Sequence, residues 1–338
     1  MRPVPKSDPE AVPRIPARTD EGARPFWSVM IPTYNRFEYL AETLASIFSQ
    51  DPGPANMQIA VVDDCSTAAD PEVILRELDP DGRVELIRLD RHVSIASAWN
   101  ACIAHARGRW VHIMHSDDCL LPGFYSTLTA ALGAHPEVGF AFSRAVWMDD
   151  NGNWTALGPL EQAKPGFLKP EALDRLAISN RIQCPAVVVR RDVYEALGGY
   201  RTDLGYTLDW EMWQRIALLH PVWYQPTPLI CWRDHSGSET QRLLRTDGTF
   251  RDIRKCIEIV RESLPPERAW LSKRALADCG FEQVWHARRL LEAGRYRDAL
   301  RSIRVAFGYA CSIKMVTTLL KTIVWFPLFL ISRAIRRK

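Results

Sequence analysis

The stretch Trp110–Asp118, WVHIMHSDD, constrains the fold more than any other part of this chain. An apolar, β-branched run ends abruptly in two adjacent carboxylates, Asp117 and Asp118. A buried strand reads this way, with its C-terminal end open to solvent. In open α/β sheets the ligand crevice lies outside those carboxyl ends. Two aspartates there suit a hard divalent cation, which usually bridges to phosphate oxygens rather than sitting in an all-protein cage. The structural alternative is a helix N-cap, because LPGFYSTLTAAL follows and the helix dipole favours acids at its start.

Similar units precede it. WSVMI (27–31) reads as a first strand, broken by Pro32, Thr33, Tyr34 and Asn35, and FEYLAETLASIFSQ shows helical spacing. QIAVVDDCST is a second strand ending in another acidic pair, Asp63 and Asp64. VELIRL (84–89) is a third, and a helix from Ile95 to about Ala106 leads into the strand at 110–114. Alternation with short connections predicts a mostly parallel sheet flanked by helices. Acid pairs at two strand ends predict one shared crevice. The first loop lacks both GxGxxG and GxxxxGK[ST], so a dinucleotide fingerprint and a P-loop are excluded.

The net charge of +3 makes no electrostatic case for nucleic acid, and there is no zinc-finger or RNA-binding signature. Eight cysteines are scattered without a CxxC, several inside apolar runs. They are expected to be reduced, as in the cytosol. Residues 1–25 are rich in proline and charge and lack a signal-peptide core. They are expected to be a disordered lead-in.

SVMIPTYNR (28–36), VVDDCST and AWNACIAHARGRWVHIMHSDD resemble the nucleotide-binding half of a family-2 glycosyltransferase of GT-A fold. CPAVVVRRDVYEALGGYR (184–201), LDWEMWQRIA (208–217) and WRDHSGSET (232–240) extend the resemblance over about residues 27–240. It implies a donor sugar nucleotide lying across the strand ends. Pro32, Tyr34 and Arg36 would line the base and ribose end. Asp63 or Asp64 would accept a hydrogen bond from base or ribose, the other serving as a local turn cap. Arg91 lies where the family often contacts the nucleotide, and Asn100 reads as a structural anchor.

Asp117 matches the last acid of the family's DxD motif, whose first acid is replaced here by His115. The resemblance implies Mg²⁺ or Mn²⁺ held by Asp117 with His115 and His235, Asp118 assisting. Arg233 would neutralise the donor diphosphate. Asp209 matches the general base that removes the acceptor's hydroxyl proton in an inverting transfer. Leu208 stands where the family usually has glutamate, and Glu211 is the rival candidate. The structural alternative for Asp209 is an N-cap on WEMWQRIALL.

The expected domains are the GT-A domain at 26–245, divided at 118 into nucleotide and acceptor halves, then a helical appendage at 246–310 and a membrane-associating helix at 311–338. The tail IKMVTTLLKTIVWFPLFLI is interrupted by Lys321 and Pro327 and is followed by Arg333, Arg336, Arg337 and Lys338. It is marginal for a span of about 20 residues. A helix lying in the interface of an anionic membrane fits better, with burial against the protein as the alternative.

The implied function is transfer of one sugar from a nucleoside-diphosphate sugar to a glycan or lipid-linked acceptor, in cell-surface polysaccharide assembly. Its place would be the cytoplasmic face of the cell membrane, as a peripheral enzyme. The rivals are a non-catalytic sugar-nucleotide-binding scaffold and a sugar-1-phosphate nucleotidyltransferase. The latter would want a glycine-rich basic loop after the first strand, which PTYNRF is not.

Overall fold

The computed structural model describes residues 11–18, 22–244, 248–309 and 311–335. Its described residues divide into two compact units, one of 11–176 and 180–252, the other of 177–179 and 253–335.

The first unit opens with β1 (Trp27–Thr33), α1 (Leu40–Phe48), β2 (Met57–Asp63), α2 (Pro71–Leu78), β3 (Glu85–Arg88), α3 (Ile95–His105) and β4 (Trp110–Ile113). These four strands pair in parallel in the order β3-β2-β1-β4. β2 and β4 are buried along their whole length and β1 almost so, which is why their sequences read as continuous apolar runs. The chain moves outward from β1 to β3, then returns to the other side of β1. The resulting switch point lies between the ends of β1 and β4, where a crevice must open.

Close packing fixes the turn into β4. A Cβ on Gly108 would lie 2.5 Å from the Trp27 carbonyl carbon. The Ser28 hydroxyl accepts the Gly108 amide at 2.7 Å and donates to Gln58 at 2.6 Å.

The sheet continues through β5 (Cys119–Leu120), α4 (Phe124–Ala134), β6 (Phe140–Met148), β7 (Trp154–Leu157), β8 (Gly166–Phe167), α5 (Pro170–Ile178), β9 (Val187–Arg190), α6 (Arg191–Leu197), α7 (Leu208–Ala217) and β10 (Val222–Arg233). β9 runs antiparallel between β4 and β6, and β6 pairs in parallel with β10. β5 pairs antiparallel with β10, which brings Cys119 opposite Cys231 and sets Asp118 beside Arg233. One apolar cluster runs through the sheet from Val29 and Val61 to Val188 and Ile230.

Then follow α8 (Glu239–Leu244), α9 (Gly248–Ser263), α10 (Trp270–Glu292), α11 (Tyr296–Tyr309) and α12 (Ile313–Ile335). In the helical unit Val284, Ala306 and Met315 form one cluster between α10, α11 and α12. No helix among the described residues is long and apolar enough to cross a membrane.

Residues 11–18 differ from the disordered lead-in expected for 1–25. Ala11, Val12 and Ile15 are buried, and the Ala11 and Pro13 carbonyls accept the amides of Thr202 and Gly199. Three apolar residues spaced among prolines suffice for this strap without regular structure. Residues 1–10 and 19–21, and the terminal cations Arg336, Arg337 and Lys338, lie outside the described residues. All eight cysteines are free thiols.

Candidate active site

The loops after β1 and β2 are stapled together by Asn35. It sits in the left-handed region at φ 54°, which asparagine tolerates better than most residues. Its side-chain oxygen accepts the amides of Thr67 and Ala68, and its own amide donates to Ser66 Oγ. The acidic pair then divides. Asp63 is fully buried, accepts the Ser66 amide at 2.9 Å and pairs with Arg88 at 3.4 Å, so it is the turn cap. Asp64 turns instead to the loop between β3 and α3. Its Oδ1 accepts the Val93 amide at 2.8 Å and its Oδ2 meets His92 Nδ1 at 2.8 Å. Burial raises its pKa, the Val93 amide and His92 opposing.

Tyr34 is 40% exposed and stacks on the His92 ring, with centroids 3.9 Å apart and planes 13° apart. Pro32 is half-buried and Arg91 exposed.

At the end of β4, Asp118 is buried. Its Oδ1 accepts the Arg233 amide at 2.7 Å, and its Oδ2 lies 3.3 Å from His115 Nδ1 with no hydrogen bond. Burial pushes the Asp118 pKa up to about 6. Burial also disfavours the charged form of His115, but Asp118 and Cys184 together outweigh it and raise that pKa. Asp117 meets His235 Nε2 at 3.0 Å. Burial works against the Asp117 anion, yet His235 and His115 hold its pKa below the usual range, and Asp117 raises that of His235 in return.

The two arginines are placed differently from each other. The Arg233 guanidinium is buried: it donates to the Asp117 carbonyl at 2.9 Å, meets Glu42 at 2.5 Å and lies 4.2 Å over the Tyr39 ring. It locks α1, β5 and β10 together. Arg36 is exposed and sits at the acidic end, against Gly237 and His235. A Cβ on Gly237 would lie 2.8 Å from Arg36 Nη1, and the Arg36 charge lowers the His235 pKa. Beside His235 the surface opens into a depression of about 410 Å³ lined by Asp149, Asp150 and Asp234.

The donor set fits a hard or borderline divalent ion. His115, Asp117 and Asp118 each offer one ligand atom within 4.8 Å of the others. The buried Asp118 Oδ2 lacks a hydrogen bond. The two carboxylates suit Mg²⁺ or Mn²⁺, and the imidazole is the softer, borderline ligand of the set.

Asp209 lies in the first turn of α7 and is partly exposed. Its Oδ1 accepts the Trp210 amide of that turn, so it shares in capping α7, while the segment leading into the helix is held by another carboxylate. The Asp252 carboxylate accepts the amides of Gly205, Tyr206 and Thr207 and the Thr207 hydroxyl. Asp209 also receives Asn180 Nδ2 on both oxygens at 3.2 Å, alongside the Trp210 amide on Oδ1 at 2.7 Å. Burial pushes its pKa up to about 6, the Asn180 and Trp210 bonds and the His115 charge opposing. Glu211 is turned inward and paired with buried Arg215 at 2.8 Å, which also bonds the Leu197 and Gly199 carbonyls. Trp210 and Trp213 are core residues. Asn100 holds both backbone groups of Tyr200, at 2.7 and 2.8 Å. Sequence reasoning missed His92, Asn180 and Asp252. His92 adjoins Arg91, but no local pattern marks the other two.

Residues 28–198 match the family described as Glycosyl transferase family 2. A protein of Mycobacterium tuberculosis with no assigned activity is 29% identical over 306 residues, 80% of this chain and 94% of its own length. A putative teichuronic acid biosynthesis glycosyltransferase of Bacillus subtilis, TuaG, is 30% identical over 95 residues, 28% of this chain and 37% of its own. Among solved structures, S. aureus TarS residues 1–349 with UDP-GlcNAc superposes with a TM-score of 0.58 at 16% identity, covering 82% of this chain and 91% of that one. The mannosyltransferase PcManGT of Pyrobaculum calidifontis, with GDP-Man and Mn²⁺, gives 0.55 at 19%, covering 93% and 87%. The last two share the fold. With acid-tipped parallel strands around one crevice and a family match over half its length, this chain belongs to glycosyl transferase family 2 and is a glycosyltransferase.

Proposed function

We propose that this protein moves one sugar from a nucleoside-diphosphate sugar to a hydroxyl of a glycan or lipid-linked acceptor, inverting the anomeric carbon. The observation that carries this reading is Asp209. It is a partly exposed carboxylate in the first turn of α7, oriented by Asn180 and the Trp210 amide and within reach of the His115 charge.

The acceptor hydroxyl gives its proton to Asp209 as its oxygen attacks the anomeric carbon, and the sugar–phosphate bond breaks with its electron pair leaving on the diphosphate. Asp117, His115 and Asp118, with His235 hydrogen-bonded to Asp117, would hold Mg²⁺ or Mn²⁺, which would neutralise charge on the leaving diphosphate. Arg36 supplies a second positive charge at that end. Its guanidinium makes no hydrogen bond or ion pair among the described residues, whereas that of Arg233 is fully engaged. Arg233 therefore acts by fixing Asp117 and Asp118. Tyr34, Pro32 and Asp64 receive the nucleoside.

A role in cell-surface polysaccharide assembly is supported by the name of the Bacillus relative. A membrane-surface location is supported by the helical unit. Residues 253–338 hold 18 Lys and Arg against 7 Asp and Glu, a net +11, so the remainder of this +3 chain carries −8. α12 buries Met315 and Thr322 but exposes Ile313, Leu320 and Val324 on its opposite side, at 84, 57 and 69%. Aliphatic side chains on the wet face of a basic helix match an anionic lipid interface.

The test is release of nucleoside diphosphate from UDP-, dTDP- and GDP-sugars with added glycan and lipid-linked acceptors. Acceptor-dependent release, reduced at least a hundredfold in Asp209→Asn, is expected. Donor binding without turnover, or turnover indifferent to Asp209→Asn, would instead indicate a scaffold or a different base.

A further inference from the structure

Beside the segment that carries Asn180 lies a small cavity of about 10 Å³, lined in part by Ser143, Arg144, Arg181 and Tyr224. That is room for one oxygen-sized group. Ser143 is buried, and its Oγ has no hydrogen-bond partner among the described residues. The Tyr224 hydroxyl accepts the Glu161 amide at 3.3 Å, which leaves its own proton to donate. Burial raises the Tyr224 pKa, and the charges of Arg144 and Arg181 oppose it, so both guanidiniums act on this hydroxyl.

Both arginines are anchored through Nε and are partly exposed. Arg144 Nε donates to the Gly158 carbonyl at 2.7 Å, and Arg181 Nε to Glu161 at 2.6 Å. Their Nη groups make no hydrogen bond or ion pair among the described residues. Such N–H forks match the oxygens of a carboxylate or phosphate. Positive charge is also left over, because Glu161 is shared with a further arginine, Arg175, at 3.2 Å. A water would satisfy Ser143 but not that charge.

The chain ties this cavity to the proposed base. Asn180 Oδ1 accepts the Ile182 amide at 3.4 Å while its Nδ2 holds Asp209, and Arg181 is the residue inside that turn. Building on the glycosyltransferase reading, we propose that Ser143, Arg144, Arg181 and Tyr224 hold an oxyanion of the acceptor, a carboxylate or a phosphate borne on the glycan whose hydroxyl is deprotonated by Asp209. The enzyme then selects an acidic acceptor over a neutral one.

The experiment is ligand-observed NMR titration of the full-length protein, in metal-free buffer, with methyl glucuronoside, glucose 6-phosphate and neutral methyl glucoside, for wild type, Arg144→Gln, Arg181→Gln and Arg36→Ala. One acidic probe should bind about tenfold more tightly than methyl glucoside, the scale of one hydrogen bond to a charged group. Whichever acid binds identifies the oxyanion. Arg144→Gln and Arg181→Gln should each abolish the preference. Arg181→Gln also takes a partner from buried Glu161, so Arg144→Gln, which gives up only the Gly158 carbonyl, decides the matter if Arg181→Gln fails to fold. Equal binding of acidic and neutral probes, or binding of none, would overturn the pocket. So would a preference kept in Arg144→Gln and lost in Arg36→Ala, which would put the anion at the diphosphate end. Acid binding at Arg144 by a protein that releases no nucleoside diphosphate from any donor would overturn the acceptor role together with glycosyl transfer and leave an anion site, so the two failures are told apart.

Discussion

Replacing Asn180 with alanine isolates the positioning of the proposed base. Asn180 gives Asp209 two hydrogen bonds at 3.2 Å from an exposed side chain. Bonds to a charged group contribute about 1.5–3 kcal/mol. Their length and exposure place this pair below that range, at about 1 kcal/mol. One pKa unit is about 1.4 kcal/mol, so losing the pair should raise the Asp209 pKa by about 0.7 unit. The base works as its carboxylate, so activity is present above its pKa and lost as pH falls through it. In wild type that limb is expected near pH 6. In Asn180→Ala it should move up towards pH 7, with a further loss in kcat at high pH from the freed rotamer of the carboxylate. The assay is kcat/KM for nucleoside diphosphate release between pH 5 and 9, with an acceptor present. Asp118 also titrates near 6 but makes no contact with Asn180, so a limb owed to it would stay in place. An acid limb unmoved by Asn180→Ala, with kcat within twofold of wild type, would refute the assignment of Asp209.

Other substitutions separate binding from architecture. Arg36→Ala should raise KM for the donor about tenfold without changing the melting temperature, whereas Arg233→Lys should destabilise the fold by about 2–4 kcal/mol, since lysine cannot reproduce a buried fork to Glu42 and the Asp117 carbonyl. Urea unfolding of both variants and donor kinetics decide this. Glu211→Gln leaves Arg215 buried and unpaired, and should cost about 3 kcal/mol in the same unfolding assay, while Asp209→Asn stays within about 1 kcal/mol of wild type. Flotation with phosphatidylglycerol vesicles should carry the protein at low salt and lose it in Leu320→Glu/Val324→Glu; equal flotation of the double variant would remove α12 from the membrane account.

Much of this was legible because the relevant signals are local. The apolar runs of β1, β2 and β4 and their terminal acids lie within a few residues of one another, and the strand ends converge by the topology of a parallel sheet. Which member of the second acid pair caps the turn and which meets His92 was not legible. That depends on Val93, His92 and Ser66, reached through loop geometry rather than pattern. That Arg233 is buried and Arg36 exposed was equally hidden. One lies after β1 and the other at the end of β10, and burial by Glu42 and Tyr39, nearly 200 positions from Arg233, decides between them. Asn180 and Asp252 approach α7 from 29 and 45 residues away, so no spacing rule marks them. The strap at 11–18 reads as disordered by composition. Its few apolar side chains matter only because a groove beside 199–202 receives them.

Metal-assisted donor binding at the end of β4 is tested most directly by calorimetry with UDP, dTDP and GDP, each in Mn²⁺ and in EDTA, on wild type and Asp117→Asn. One diphosphate should bind in Mn²⁺, and EDTA and Asp117→Asn should each weaken it at least tenfold. Equal affinity in Mn²⁺ and EDTA, unchanged by Asp117→Asn, would contradict a metal site built on His115, Asp117 and Asp118.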